Sequence, residues 1–180
     1  MPDIDPAAEY LIISTSLRAA SLSRVMAEAL QKDYEQLGAR VRYIDLREYV
    51  LPLCDGEAAY AHPHVATLSG WIEAARVVIV ATAVYNYDAN AAAKNMIELT
   101  GDSWENKVVG FLCAAGGMSS YMSIMSLANS LMLDFRCLII PRFVYATRTE
   151  FGPGPAPGDK LAPRIRQLAE VSTQIRHGPL

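Results

Sequence analysis

The chain has 180 residues, of which 52% are hydrophobic and 19% are charged, and its formal net charge is −3. This composition can bury the core of one domain, which excludes general disorder, and the near-neutral charge excludes general binding to nucleic acid. No apolar run approaches the roughly 18 to 20 residues that cross a bilayer, so we expect no membrane partner either.

Short apolar runs typical of buried strands alternate with helical patterns along most of the chain. In chain order the predicted elements are a strand at 10–14, a helix ending near Gly38, a strand at 41–46, a helix at 65–75, a strand at 77–81, a helix at 91–99, a strand at 107–113, a helix at 119–134 and a strand at 137–140 that Pro141 ends. Residues 47–64 are irregular. A surface connection at 151–158, rich in proline and glycine, precedes a last amphipathic helix at about 159–176.

This alternation predicts a single α/β domain spanning 1–180, with a core at about 9–148. It is a three-layer sandwich in which helices cover both faces of a parallel five-stranded sheet. Ligands of such sheets bind outside the carboxyl ends of the strands. The functional site is therefore expected in the loops that follow Ser14, Ala81 and Cys113.

The first loop, residues 14–24, contains four serines, a threonine and two arginines where a strand leads into a helix. Free N–H groups at the helix start, hydroxyl donors and a guanidinium suit a phosphate group. Alternatively, Ser21 or Ser23 is only an N-cap and Arg18 is a solvated side chain. The loop lacks the Gly-Lys-Ser/Thr ending of a Walker loop and the glycines of a dinucleotide fingerprint.

The second loop, residues 82–90, contains two tyrosines and two asparagines that suit a flat heterocycle. The alternative is an ordinary turn in which Asp88 or Asn90 caps the next helix. The third loop, residues 114–121, contains the pair Gly116 and Gly117, which lets a backbone approach a ligand closely. A plain turn explains this pair equally well.

Together these loops resemble the flavodoxin-like NAD(P)H-dependent FMN reductases, a family that includes quinone, azo-dye and chromate reductases. Residues 15–21, Thr-Ser-Leu-Arg-Ala-Ala-Ser, align with the family's Gly-Ser-x-Arg-x-x-Ser. Residues 83–86, Ala-Val-Tyr-Asn, align with Pro-x-Tyr-Asn, and residues 93–98, Ala-Lys-Asn-Met-Ile-Glu, with Leu-Lys-Asn-x-x-Asp. Gly116 and Gly117 match the Gly-Gly loop. The resemblance covers about residues 9–148 and implies the strand order 2-1-3-4-5.

The resemblance also implies which residues bind FMN. Those expected to hold its phosphate are Ser16, Arg18, Ser21 and Ser23. Those expected near its ring or ribityl chain are Thr82, Tyr85, Asn86, Gly116, Gly117 and Met118. The chain departs from the family where Thr15 replaces glycine, Ala83 replaces proline and Asn90 stands where proline is common. Tyr87 and Asp88 replace small residues, which narrows the space above the ring and adds a negative charge.

By this resemblance the chain is an oxidoreductase that transfers hydride from NADPH or NADH, through bound FMN, to a small acceptor such as a quinone or free flavin. Since the flavin supplies the reactive chemistry, we expect no catalytic side chain. Two alternatives stay open. One is a flavodoxin-type electron carrier or flavin-binding module without turnover on NAD(P)H, and the other is a relative that has lost the flavin.

The helix predicted at 119–134 has more apolar surface than a surface helix needs. Its methionines, together with Met118, fall within about 80° of one another at about 100° per residue. They are Met118, Met122, Met125 and Met132. Either loops of the same chain cover this surface or another subunit does. The resemblance favours a homodimer or a dimer of dimers.

The remaining motifs predict a compartment and argue against a metal site. Three widely spaced cysteines form no CxxC motif and no disulfide framework, and the acidic start at residues 1–5 lacks the basic region of a secretory signal. Both features indicate the cytoplasm. His62 and His64 lack a third ligand at metal-binding spacing, so we expect no bound metal.

Overall fold

A parallel β-sheet forms the centre of the computed structural model, which describes residues 8–154 and 156–176. Its strands are β1 (Tyr10–Ser14), β2 (Val41–Asp45), β3 (Val77–Tyr85), β4 (Asp88–Ala89), β5 (Val108–Ala115), β6 (Leu138–Ile139) and β7 (Val144–Thr147). The order is β2-β1-β3-β5, and both β6 and β7 pair in parallel with β5. The predicted order is therefore confirmed, with two short strands sharing the fifth position.

Helices cover both faces of the sheet, as predicted. They are α1 (Leu22–Gln36), α2 (Pro63–Ala74), α3 (Ala91–Thr100), α4 (Met125–Phe135) and α5 (Ala162–Gln174). Because successive strand residues point to opposite faces, Leu11 and Ile13 pack toward α2, α3 and α4, whereas Tyr10 and Ile12 pack toward α1 and α5. None of the helices in residues 8–154 and 156–176 has the length and apolar character needed to span a membrane.

The last third of the chain differs from the predicted elements in two places. The helix predicted at 119–134 begins as a 3₁₀ segment, Met118–Ile124, in which Ser120 lies outside helical dihedral angles, and only Met125–Phe135 is α-helical. After Pro141 the chain returns to the sheet as β7, which the sequence pattern did not predict. The short run of four residues gave too little periodicity to identify.

The segment predicted as a surface connection contains no helix or strand in its described residues, which exclude Pro155. A single bridge joins Phe151 to Pro157. The C-terminal helix is confirmed as α5, with shorter bounds than the predicted 159–176.

The second loop, which was predicted to follow a strand ending at Ala81, is a β-hairpin. β3 continues to Tyr85, and β4 pairs antiparallel with it through Tyr85 and Asp88. The two central residues, Asn86 and Tyr87, have φ values of 50° and 65°. Positive φ at both positions defines a type I′ turn, whose twist matches that of the flanking strands. The hairpin thus fixes the backbone positions of the two tyrosines of this loop, Tyr85 and Tyr87.

Candidate functional site

Three loops meet where β1, β3 and β5 end at one edge of the sheet. The register pairs Ser14 with Ala81 and Ala83 with Ala114, so the chain leaves adjacent strands at nearly the same level. This is the position at which open α/β sheets bind ligands. The structure therefore brings together the three regions that sequence reasoning selected.

The first loop presents hydrogen-bond donors that have no partner among the described residues. Arg18 is exposed, and its guanidinium makes no ion pair there. Ser16 is only 1% exposed, and its hydroxyl also lacks a partner within that part of the chain. The backbone N–H groups of Leu17, Ala19 and Ala20 likewise find no acceptor among the described residues. A group of free donors beside a cation suits an anion.

Ser21 and Ser23 stand at the start of α1. Ser21 holds the N-cap position, yet its hydroxyl does not cap the helix. The hydroxyls of Ser21 and Ser23 lie 2.8 Å apart and hydrogen-bond each other. The first N–H groups of a helix lack intrahelical acceptors, so those of α1 remain free for a ligand. Ser21 thus occupies the N-cap position, as the alternative predicted, but its side chain does not cap the helix.

A buried hydrogen-bond network joins the first loop to the second. The hydroxyls of Thr15 and Thr82 donate to Asn90 Oδ1 at 2.8 Å and 2.9 Å. Asn90 Nδ2 donates to the Thr15 carbonyl at 2.8 Å. Thr82 is fully buried, which corrects its expected role. Its side chain supports the loop from beneath and has no surface with which to contact FMN.

Replacing Asn90 with alanine should lower the free energy of unfolding by about 1–3 kcal/mol. The Thr15 carbonyl would lose its buried donor, and the hydroxyls of Thr15 and Thr82 would keep only their longer bonds, at 3.2 Å, to the carbonyls of Ala81 and Ala83. Urea unfolding followed by circular dichroism measures the loss. The matched control is Asn95→Ala on the same helix, since Asn95 is half-buried and bonds Pro52 and Cys54 outside the site. An equal or larger loss in Asn95→Ala would contradict a special role for the Asn90 network.

The hairpin of the second loop exposes two aromatic rings beside the third loop. Tyr85 and Tyr87 are both more than half exposed, at 54% and 66%. The Tyr87 hydroxyl donates to Ser119 Oγ at 3.4 Å, and Ser126 donates to the Asp88 carboxylate at 2.9 Å. These contacts tie the hairpin to the segment after β5. Tyr87 therefore spans between the two loops and does not fill a buried slot.

The third loop offers an open surface next to the hairpin. Gly116 and Gly117 are exposed, and a Cβ atom added to either would meet no atom within 4 Å. Met118 follows them and is also exposed. From beneath, the buried Tyr145 donates its hydroxyl to the Gly117 carbonyl. Gly117 is thus held in place while its outer side stays accessible.

Sequence reasoning missed three residues that shape the site. Tyr145 lies on β7, which was not predicted. Arg24 and Asp45 form a buried ion pair at 2.7 Å beneath the first loop. Burial alone would raise the pKa of Asp45, but hydrogen bonds from Arg47 and Arg24 outweigh burial and hold this pKa below its usual value. The available sequence signal was Asp45 itself, a charged residue at the end of the alternating pattern that predicted β2.

The arrangement fits FMN at both of its ends. The unpartnered donors of the first loop suit the phosphate, while the exposed tyrosines and the open glycine surface suit a flat ring. Within the described residues, no group of three or more His, Cys, Asp or Glu side chains is placed to hold a metal ion.

Comparison with known proteins extends this interpretation. A family model described as NADPH-dependent FMN reductase matches residues 9–151. No curated protein matches the chain. FerB from Paracoccus denitrificans, a flavoenzyme NAD(P)H:(acceptor) oxidoreductase, is 22% identical over 92% of this chain and 94% of its own, with a TM-score of 0.74.

Two further solved structures share the fold. An NADH:FMN oxidoreductase in its apo form, EMOB, is 16% identical over 94% of this chain and 91% of its own, with a TM-score of 0.76. A flavodoxin from the domain Archaea is 13% identical over 92% of this chain and 96% of its own, with a TM-score of 0.65. Because enzymes and an electron carrier both appear, these likenesses establish the flavodoxin-like fold alone.

The family match spans most of the chain and includes all three loops. It confirms the resemblance that the motifs indicated, and with it an oxidoreductase that uses FMN and a reduced nicotinamide. The chain belongs to the NADPH-dependent FMN reductase family.

Proposed function

We propose that this chain binds FMN across the three loops and passes hydride from NADPH or NADH through it to a small acceptor such as a quinone or free flavin. The observation that supports this proposal most strongly is the set of donors around Arg18, at the end of β1, that have no partner among the described residues. When bound, FMN supplies the hydride-transfer chemistry.

Each loop has a distinct task in this proposal. In the first loop, Arg18 and Ser16 bind the phosphate, and Ser21 closes its inner side. Ser23 is fully buried, so it supports the Ser21 hydroxyl from behind and does not itself contact the phosphate. In the second loop, Tyr85 and Asn86 contact the ring or ribityl chain. In the third, Gly116, Gly117 and Met118 would border the ring edge, where their backbone N–H groups would stabilise negative charge. Thr82 acts through Asn90 as a positioning residue.

An apolar acceptor such as a quinone suits the surroundings of the site. A cavity of about 570 Å³ adjoins the first loop through Leu17. Its other walls are mainly apolar and come from the segment after β2 and the start of α3; they include Tyr49, Val50, Leu51 and Leu53. A surface of this kind favours flat, weakly polar molecules over highly charged ones.

Purified protein tests the proposal directly. We expect FMN to restore or maintain a yellow flavin spectrum, and NADPH or NADH to bleach it under anaerobic conditions. Re-oxidation by a quinone should then restore the colour. A flavin that no reduced nicotinamide bleaches would indicate the electron-carrier alternative. A colourless protein that FMN cannot reconstitute would indicate a relative that has lost the cofactor.

We also infer that a second copy of the chain covers the methionine surface, giving a homodimer or a dimer of dimers. The four methionines of this surface are exposed: Met118 at 64%, Met122 at 62%, Met125 at 40% and Met132 at 39%. Ile124, Leu127 and Leu131 of the same segment are buried in the core. Clustered exposed apolar side chains are typical of protein interfaces, and flexible methionines adapt to a facing surface.

The cysteines support a cytoplasmic location. Cys54, Cys113 and Cys137 are all free. Burial raises the pKa of the Cys113 thiol to about 12 and that of Cys137 to about 11, so both stay protonated and unreactive. Free thiols that need no oxidising environment suit a reducing compartment.

A further inference from the structure

The guanidinium of Arg24 lies beneath the first loop and hydrogen-bonds three of its backbone carbonyl groups. Its Nη1 donates to the carbonyls of Arg18 at 3.1 Å and Ala19 at 2.6 Å, and its Nη2 donates to the Ser16 carbonyl at 3.1 Å. Its Nε donates to the Asp45 carboxylate at 2.7 Å. The side chain is 9% exposed, so the guanidinium is engaged inside the protein and is not offered to a ligand.

The direction of these carbonyls determines the direction of the neighbouring N–H groups. In a trans peptide, the carbonyl of one residue and the N–H of the next point to opposite sides of the same plane. Drawing three carbonyls toward Arg24 therefore turns the N–H groups of Leu17, Ala19 and Ala20 away from it. These are the N–H groups that have no acceptor among the described residues.

Asp45 makes this arrangement possible at the end of the neighbouring strand. It is 3% exposed and pairs with β1 residue Ser14 in the sheet register. An unpaired buried guanidinium would be costly, and the carboxylate offsets its charge. Arg47 donates to the same carboxylate at 2.9 Å from the solvent side, but its side chain makes no bond to the first loop. The two arginines around Asp45 thus have separable roles.

We propose that the Arg24–Asp45 pair is the positioning element that makes the first loop an anion receptor, by turning its carbonyls inward and its N–H groups outward. As a role in FMN affinity this rests on the proposed function, in which the loop holds the phosphate. Arg18 then supplies the positive charge that attracts the phosphate, and Arg24 sets the direction of the backbone N–H groups.

The test compares Arg24→Lys with Arg47→Ala. Lysine keeps the positive charge beside Asp45 but lacks the planar fork that reaches several carbonyls at once. Two-dimensional ¹H–¹⁵N NMR of the full chain, titrated with inorganic phosphate, reports on the amides of residues 17, 19 and 20. We expect wild type and Arg47→Ala to show saturable shifts at these amides, and Arg24→Lys to need at least about 10-fold more phosphate.

Flavin titrations separate this inference from the proposed function. We expect Arg24→Lys to weaken FMN binding at least about 10-fold while riboflavin, which has no phosphate, binds within about 2-fold of wild type. Asp45→Asn is the second variant should Arg24→Lys fail to fold. An unchanged phosphate response in folded Arg24→Lys, or no response in wild type, would overturn the inference. The expected phosphate responses without FMN binding would instead overturn the proposed function alone.

Discussion

Replacing Arg18 with alanine should reduce FMN affinity by about 10- to 100-fold and leave riboflavin affinity within about 2-fold of wild type. The guanidinium is exposed and unpaired within the described residues, so its removal disturbs no internal contact. A charge-assisted hydrogen bond to a phosphate is among the strongest single contacts available to a side chain. Quenching of flavin fluorescence on titration with protein measures both affinities.

The control for this prediction is Arg40→Ala. Arg40 is also exposed, but it precedes β2 and therefore lies at the opposite edge of the sheet from the three loops. We expect its removal to change neither affinity, which separates a local contact from the effect of net charge. If Arg18→Ala weakened FMN and riboflavin equally, Arg18 would be acting on the ring or the fold and not on the phosphate. Raising the salt concentration should narrow the difference between Arg18→Ala and wild type.

The sequence predicted that the three loops meet at one edge of the sheet, because the signal for this arrangement is local. Apolar runs set the strands, and polar residues immediately after a strand must lie at its carboxyl end. The resemblance selected Arg18 for the phosphate, but nothing in the local sequence showed that Arg24 is engaged inside the protein. Arg24 is turned inward by Asp45, a partner 21 residues away, and a contact of that kind has no signature in local spacing.

The structure gives one explanation for two departures from the family pattern. Thr15 stands where the family has glycine, and Asn90 stands where proline is common. The two side chains hydrogen-bond each other although they lie 75 residues apart. The buried hydroxyl at position 15 needs an acceptor, and Asn90 Oδ1 supplies the shorter of its two bonds, the other being 3.2 Å to the Ala81 carbonyl. The pair therefore couples the first loop to the second, and neither residue is understandable alone.

The hairpin of the second loop was not predicted for a related reason. A type I′ turn is normally signalled by Asn-Gly or Asp-Gly. Here its central residues are Asn86 and Tyr87, and a tyrosine rarely adopts positive φ. The contacts of Tyr87 with Ser119 and of Asp88 with Ser126 help hold this conformation. Tertiary contacts, which local turn statistics do not include, decided the geometry.

The methionine surface was predicted from the geometry of one continuous α-helix, and that geometry is partly wrong. The methionines are nevertheless exposed. Met118 and Met122 lie in the 3₁₀ segment, where residues advance by about 120° each and not 100°. All four methionines nevertheless remain exposed, since Ile124, Leu127 and Leu131 already occupy the core side. The burial of those three residues fixes the orientation of the whole segment.

In the proposed homodimer, the double variant Met122→Glu with Met125→Glu should therefore leave single chains of 19.7 kDa. Around a two-fold axis it places four carboxylates in an apolar contact, where each loses hydration and gains no cation. We expect the dissociation constant to rise at least about 100-fold. Native mass spectrometry and sedimentation velocity at several protein concentrations measure the change.

A matched pair of charges on the other face of the sheet serves as the control. Gln36→Glu with Leu37→Glu adds two carboxylates at the end of α1, where both residues are exposed. We expect this control to keep the wild-type mass, because a general increase in negative charge does not disrupt a specific contact. If the methionine variant also kept the wild-type mass while remaining folded, the proposal that a second copy covers the methionine surface would be wrong. The exposed methionines would then serve another partner or the acceptor itself.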